Sequence, residues 1–178
     1  MKSPWSLPDY AFAACMTLGM VISAFVIGPL VPPFLELVAW APIGGIFLTL
    51  GMVRLQKRGS IALMIWPLAL LLTPISPVIT VYLILTTVVT EAVVWLRGNY
   101  RIKANRLLGT ILFFTSAVVI GLVGAGLTLG DKFAELLSKP WLIGGAAIAA
   151  SITGTIGWWL GEQIVYQLKR VGKLDGDS

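Results

Sequence analysis

No charged residue occurs between Ser60 and Thr90, and this stretch is too long for one membrane helix. At about 1.5 Å of rise per residue, a single helix over it would be about 45 Å long. The hydrocarbon core of a bilayer is only about 30 Å thick. Pro74 and Pro77 lie in the middle of the stretch, and two prolines three positions apart end a helix and favour a turn. The stretch therefore predicts two short spans.

Apolar runs recur along the rest of the chain, in which 57% of residues are hydrophobic and 12% are charged. Soluble domains carry about 25% charged residues, so we predict an all-α integral membrane protein. The predicted spans cover about 10–30, 37–53, 61–74, 78–96, 107–129 and 141–168. Together they form a single six-helix transmembrane domain over residues 1–178.

The basic residues predict the orientation, because cytoplasmic loops near membrane ends collect Lys and Arg. With six spans, all but two of the thirteen basic residues lie on one side: Lys2, Arg54, Lys57, Arg58, Arg97, Arg101, Lys103, Arg106, Lys169, Arg170 and Lys173. Only Lys132 and Lys139 lie on the other side. Five spans would place one basic cluster outside. We therefore predict both termini in the cytoplasm and need no nucleic-acid partner to explain the net charge of +5.

The residue inventory argues against most enzymes. The chain has no His and a single Cys, Cys15, which excludes His-ligated metals, Ser-His-Asp chemistry and an internal disulfide. It also lacks the glycine-rich phosphate loop followed by Lys and Ser or Thr, so it cannot hydrolyse ATP itself. We predict no catalytic residue, no bound metal and no cofactor.

Small residues form stripes on the first and last predicted helices, where close packing drives helix association in lipid. The first stripe comprises Ala11, Cys15, Gly19 and Ser23, and we predict that it is a docking face. The last helix carries Ala146, Ala150 and Gly154 with the same spacing, followed by Gly157 and Gly161. For that helix, packing inside the bundle and docking outside it remain equal alternatives.

Three stretches resemble the substrate-binding S components of energy-coupling factor (ECF) transporters, in particular the thiamin-related and MptD-like groups. The first stretch covers 42–46 with the Lys-Arg-Gly sequence at 57–59. The second is 91–100, in which an acid is followed by apolar residues and a basic, tyrosine-containing end. The third combines the glycines of 154–161 with the basic tail of 167–174.

This resemblance implies a function without catalysis in the chain. An S component lies in the bacterial cell membrane and captures a vitamin or related micronutrient in an outward-facing cavity. It then docks on a membrane scaffold subunit driven by two ATPases. The whole bundle topples, which means that it reorients in the membrane, and the substrate is released on the inner side. The first-helix stripe would be the scaffold-docking face, although Cys15 stands where alanine is usual. A neighbouring stripe with Ala13 and Thr17 is the alternative contact.

The outer side of the predicted bundle carries the candidate substrate-binding residues. Glu36 is the one acid in the first outer connection, and Trp40 follows one turn later. Tyr82, Thr86 and Trp141, with Thr128 as a further hydroxyl, complete the set. Aromatic walls with one carboxylate suit a flat, cationic, vitamin-like ligand such as a thiamin-related compound. The alternative role of Trp40 and Trp141 is interfacial anchoring.

Two further expectations concern the remaining acids and the last outer loop. Glu91 and Glu162 lie near the predicted cytoplasmic ends of their helices, where we expect each to pair with a basic residue; coupling to the scaffold subunit is the alternative role. The segment 130–139 has the pattern of a short amphipathic helix that would cover the bundle as a lid. Two other function classes stay open: a stand-alone transporter or channel, and a small membrane enzyme acting on lipids.

Overall fold

A computed structural model describes residues 5–32, 35–128 and 137–172. These residues include six helices of 13 or more residues, in sequence α1 (Leu7–Ile27), α2 (Glu36–Leu55), α3 (Ser60–Leu72), α4 (Pro77–Arg97), α5 (Lys103–Thr128) and α6 (Pro140–Arg170). A short 3-10 turn, Gly28–Leu30, continues α1. No strand occurs in the described ranges, so the predicted all-α class is confirmed.

Five of these helices, all except α3, are long and apolar enough to cross a membrane. α3 is equally apolar but has only 13 residues, against the roughly 20 that a full span needs. The uncharged stretch is divided as its prolines predict, because α3 ends at Leu72 and Pro77 is the first residue of α4. Most of the predicted amphipathic segment 130–139 lies outside the described residues.

The helices alternate in direction, so the bundle has two chemically different ends. The α2–α3 and α4–α5 loops are joined by hydrogen bonds, and the last turns of α6 lie beside them through the Arg106–Glu162 ion pair. These segments carry Arg and Lys, and we call this the basic end. At the opposite end, α1 meets α2 and α3 meets α4, and the described residues there include the single acid Glu36. The two ends therefore differ in charge.

The contact between α2 and α6 is the most extensive in the bundle, and glycine makes it close. A Cβ at Gly45 would lie 2.9 Å from the carbonyl oxygen of Gly154 and 3.0 Å from Cα of Gly157. A Cβ at Gly161 would lie 2.7 Å from Cβ of Thr49 on α2. The small residues of the last helix thus pack inside the bundle, where two backbones approach each other.

Candidate functional site

Two adjoining cavities open at the end opposite the basic end, between the last turns of α1 and α3 and the first turns of α2 and α4. The larger cavity has a volume of about 180 Å³ and lies against α5, and its lining includes Ile79, Val118 and Leu122. The deeper cavity, about 150 Å³, is lined by Trp40, Leu68 and Phe113 among others. Both cavities open to the outside of the bundle, and their walls are apolar with few polar groups, which is the lining that small-molecule sites usually have.

Glu36 and Tyr82 line both cavities and are the polar groups that the two spaces share. Glu36 is the first residue of α2 and is exposed at the rim. Tyr82 is half-buried on the first turns of α4 and faces it across the opening. A ligand entering from this end would therefore meet a carboxylate and a phenol before it reached the apolar interior.

Trp40 forms a fixed wall of the deeper cavity, with only 7% of its surface exposed. Its indole Nε1–H donates a hydrogen bond to Ser23 Oγ at 2.9 Å. Its ring meets Phe114 edge to face, with centroids 5.8 Å apart, and lies directly against the bare Cα of Gly44. These contacts fix the indole in one orientation in the wall of the deeper cavity.

The other predicted substrate-binding residues lie elsewhere. Thr86 is fully buried one turn below Tyr82, and its hydroxyl has no hydrogen-bond partner within the described chain. Trp141 is 70% exposed in the first turn of α6 and lines neither cavity. Thr128 is exposed and donates to the carbonyl of Gly124. The structure therefore brings Glu36, Trp40 and Tyr82 together and leaves Trp141 and Thr128 outside.

Sequence reasoning missed most of the cavity walls, which are apolar. Ile65, Leu68 and Leu72 come from α3, and Phe113 and Ala117 come from α5. None of them differs in type from the lipid-facing residues of the same helices. No sequence signal distinguishes such wall residues, because apolar side chains cover the inside and the outside of a membrane bundle alike.

The predicted docking stripe on α1 is not one continuous exposed face. Ala11 and Cys15 are exposed, whereas Gly19 lies against the ring of Phe47 and Ser23 accepts the indole hydrogen bond of Trp40. The C-terminal half of the stripe, Gly19 and Ser23, therefore packs against α2. Only the half with Ala11 and Cys15 remains open to a partner.

The neighbouring alternative stripe on α1 is buried. Ala13 is 2% exposed and Thr17 is 3% exposed. The Thr17 hydroxyl donates to the carbonyl of Met64 on α3 at 2.7 Å, so both residues serve the contact between α1 and α3. They are not available to a partner outside the bundle.

Among the described residues no basic side chain lies at ion-pair distance from Glu91, contrary to the expectation. Its Oε2 accepts the backbone N–H of Gly59 at 2.9 Å, and its Oε1 accepts those of Ile61 at 2.8 Å and Ala62 at 3.4 Å. Glu91 of α4 thus caps the start of α3, where unpaired N–H groups and the helix dipole favour an anion. Glu162 does pair as expected, with Arg106.

Tyr100, in the loop between α4 and α5, is fully buried beside Glu91. Its hydroxyl lies close enough to Glu91 to interact with the carboxylate, although it makes no hydrogen bond of ordinary geometry to the described residues. Burial raises the pKa of the Tyr100 hydroxyl far above its usual range, and the negative charge of Glu91 raises it further. Tyr100 is therefore neutral at every physiological pH and acts as a packing residue at the basic end.

The described part of the chain contains no group of three or more Cys, Asp or Glu side chains close enough to hold a metal ion. Comparison with protein-family models, curated proteins and solved structures gave no match. The fold and the cavities lined by Glu36, Trp40 and Tyr82 are therefore the features from which a function can be inferred.

Proposed function

We propose that this protein is a substrate-capturing membrane subunit of the ECF S-component type. It binds a vitamin-like small molecule in the two cavities and delivers it by docking on a membrane scaffold subunit driven by two ATPases. Its place is the bacterial cell membrane, with both termini and the basic end in the cytoplasm. The observation that carries the proposal is the pair of adjoining cavities that share Glu36 and Tyr82 at the end opposite the basic end.

The orientation agrees with capture from outside. Because basic residues collect on the cytoplasmic side, the cavities at the other end open outwards. Their apolar walls, fixed indole and single carboxylate suit a flat cationic heteroaromatic ring, with a thiamin-related compound as one candidate. The ring would stack on Trp40 and place its positive charge near Glu36, while Tyr82 supplies one hydrogen bond.

The charges inside the helices are compatible with a subunit that reorients in lipid. An unpaired charge within a bilayer costs a few kcal/mol. Glu162 is ion-paired with Arg106, and Glu91 is bound by three backbone N–H groups. The exposed small residues Ala11 and Cys15 offer a smooth part of α1 on which a scaffold helix can approach closely.

Two experiments test the proposal. The first is gentle purification from the native membrane, followed by mass spectrometry of co-purifying proteins and of any small molecule released on denaturation. We expect a membrane scaffold, two ATPases and one vitamin-like compound. Uptake into vesicles by this chain alone, without ATP or a partner, would instead identify a stand-alone transporter.

The second experiment measures binding of the released compound to variants at the cavity. Glu36→Gln and Tyr82→Phe should each weaken binding by about tenfold, as expected for losing one charge-assisted or well-placed hydrogen bond. Trp141→Phe is the matched control, because Trp141 lines neither cavity, and it should bind like the wild type. Unchanged affinity in both cavity variants would refute this binding site.

A further inference from the structure

A third concave surface lies between α3 and α4 near the basic end, away from the two ligand cavities. It has a volume of about 300 Å³, and we call it the Arg58 groove. The residues that define it are Arg58, Ala62, Trp66, Val88, Ala92 and Trp95. Trp66 and Trp95 are about half exposed and form its rims, while the small side chains form its floor.

Apart from Arg58, the polar groups of the groove are already engaged. The Glu91 carboxylate accepts backbone N–H groups at the start of α3. The Thr87 hydroxyl donates to the carbonyl of Leu83 at 2.7 Å. The groove therefore offers an occupant an apolar surface with the Arg58 guanidinium at its end and the Glu91 carboxylate, bound by backbone N–H groups, in its lining.

Arg58 is held in a fixed position at that end. Its Nε–H donates to the carbonyl of Gly98 at 2.8 Å, and its guanidinium lies 5.3 Å from the centre of the Trp95 ring. No carboxylate within the described ranges lies at ion-pair distance from it. Its terminal Nη groups make no hydrogen bond to the described residues and can bind an anion, and the contacts of Nε and of the Trp95 ring limit the side-chain freedom that binding would remove.

The charges around the groove favour a negative occupant. The two ion pairs between described residues engage Lys57 and Arg106. Arg54 and Arg97 are exposed at the same end, again with no carboxylate partner in the described part of the protein. An occupant with a net negative headgroup is favoured over one whose phosphate is neutralised by its own ammonium group.

The length of the groove fits an acyl chain. Trp66 lies seven residues after Gly59, so about 10 Å of apolar surface extends from the guanidinium towards the bilayer interior. Over its whole length α3 rises only about 20 Å, less than the hydrocarbon core of about 30 Å. An acyl chain beside α3 can therefore occupy membrane depth that this short helix does not span.

We propose that the Arg58 groove binds an anionic phospholipid of the leaflet at the basic end. The lipid phosphate pairs with the free Nη groups of Arg58, and one acyl chain lies over Ala62 and Ala92 against Trp66. This inference is independent of the proposed function, because it requires neither the small-molecule ligand nor a partner subunit.

The test is native mass spectrometry of the purified full chain with phosphatidylglycerol and phosphatidylcholine of identical acyl chains. The wild-type chain should retain phosphatidylglycerol in preference to phosphatidylcholine. Arg58→Gln should reduce this preference by about fivefold, the value expected for one basic residue at a membrane surface. Arg97→Gln is the matched control, since it removes the same charge from the same end outside the groove, and it should keep most of the preference.

A second variant tests the acyl-chain contact. Ala92 is exposed on the groove side of α4, so Ala92→Leu fills the groove without disturbing the bundle core. We expect weaker retention of phosphatidylglycerol at an unchanged thermal midpoint. Equal losses in Arg58→Gln and Arg97→Gln would refute the site in favour of diffuse charge attraction. Undiminished lipid retention in Ala92→Leu, or exclusive occupation of the groove by a cross-linked protein helix, would also overturn the proposal.

Discussion

Arg106 of α5 and Glu162 of α6 form a bidentate ion pair within the helix bundle. Nε of Arg106 lies 2.7 Å from Oε1 of Glu162, and Nη2 lies 3.1 Å from Oε2. The second terminal nitrogen, Nη1, donates to the carbonyls of Tyr100 and Arg101. One guanidinium therefore joins α5, α6 and the α4–α5 loop at the basic end.

Removing Arg106 should destabilise the bundle more than removing the charge of Glu162. Arg106→Met leaves a carboxylate without a partner and two carbonyls without donors, and breaking such a buried pair costs about 3–5 kcal/mol. Glu162→Gln keeps an acceptor for Arg106 and should cost less. Thermal unfolding in detergent measures both, with exposed Lys169→Gln as the control. Equal midpoints for Arg106→Met and the control would contradict the structural role.

Glu91 should be required for the start of α3. Glu91→Ala removes the acceptor of three backbone N–H groups, and hydrogen bonds to a charged group contribute about 1.5–3 kcal/mol each. Glu91→Gln retains one acceptor oxygen and should be milder. Hydrogen exchange at Ile61 and Ala62 should rise most in the alanine variant. Unchanged exchange there would show that α3 does not depend on this cap.

The close contact between α2 and α6 should not tolerate the addition of even one methyl group at Gly157. A Cβ at Gly157 would overlap the backbone carbonyl of Pro42, which cannot move like a side chain. Gly157→Ala should therefore lower stability by about 1–3 kcal/mol, the usual cost of overpacking. Gly144→Ala on the same helix is the matched control, because nothing lies within 4 Å of its added Cβ. Equal behaviour of the two variants would disprove the close approach.

Filling the deeper cavity should block ligand binding without unfolding the protein. Ala117 lines that cavity and is fully buried on α5. Ala117→Leu adds three carbons that occupy part of about 150 Å³. We expect at least about tenfold weaker binding, because displaced ligand groups lose their apolar contacts, together with an unchanged or higher thermal midpoint. Ala149→Leu on α6, which lines neither cavity, should bind normally.

The exposed half of the α1 stripe should affect assembly rather than folding. Cys15→Trp places a large ring on an exposed small position and should reduce co-purification of a scaffold subunit while the thermal midpoint stays unchanged. Gly19→Ala should leave assembly unchanged and lower the thermal midpoint only slightly, since the tip of the Phe47 ring that its Cβ would meet can shift. Normal assembly of Cys15→Trp would remove this face from the proposed docking surface.

The local features of the sequence predicted the helices well. α4 begins at Pro77 and the loop after α3 contains Pro74, because proline removes a backbone donor and cannot continue a helix. The prediction that Glu162 pairs with a basic residue was also correct, since its partner is Arg106. The same prediction for Glu91 was not, because a backbone helix terminus can satisfy a carboxylate as well as a basic side chain can, and a sequence does not show which helix start lies nearby.

The sequence by itself determined the all-α class, the number of apolar helices and the break between α3 and α4. These depend on local chemistry: apolar composition, the charges at the helix ends and the prolines. Only the tertiary structure decided that Glu36, Trp40 and Tyr82 face one space, whereas Trp141 is exposed outside it. The reason is that packing sets the rotation of each helix about its axis, and in a membrane its inner and outer faces are almost equally apolar.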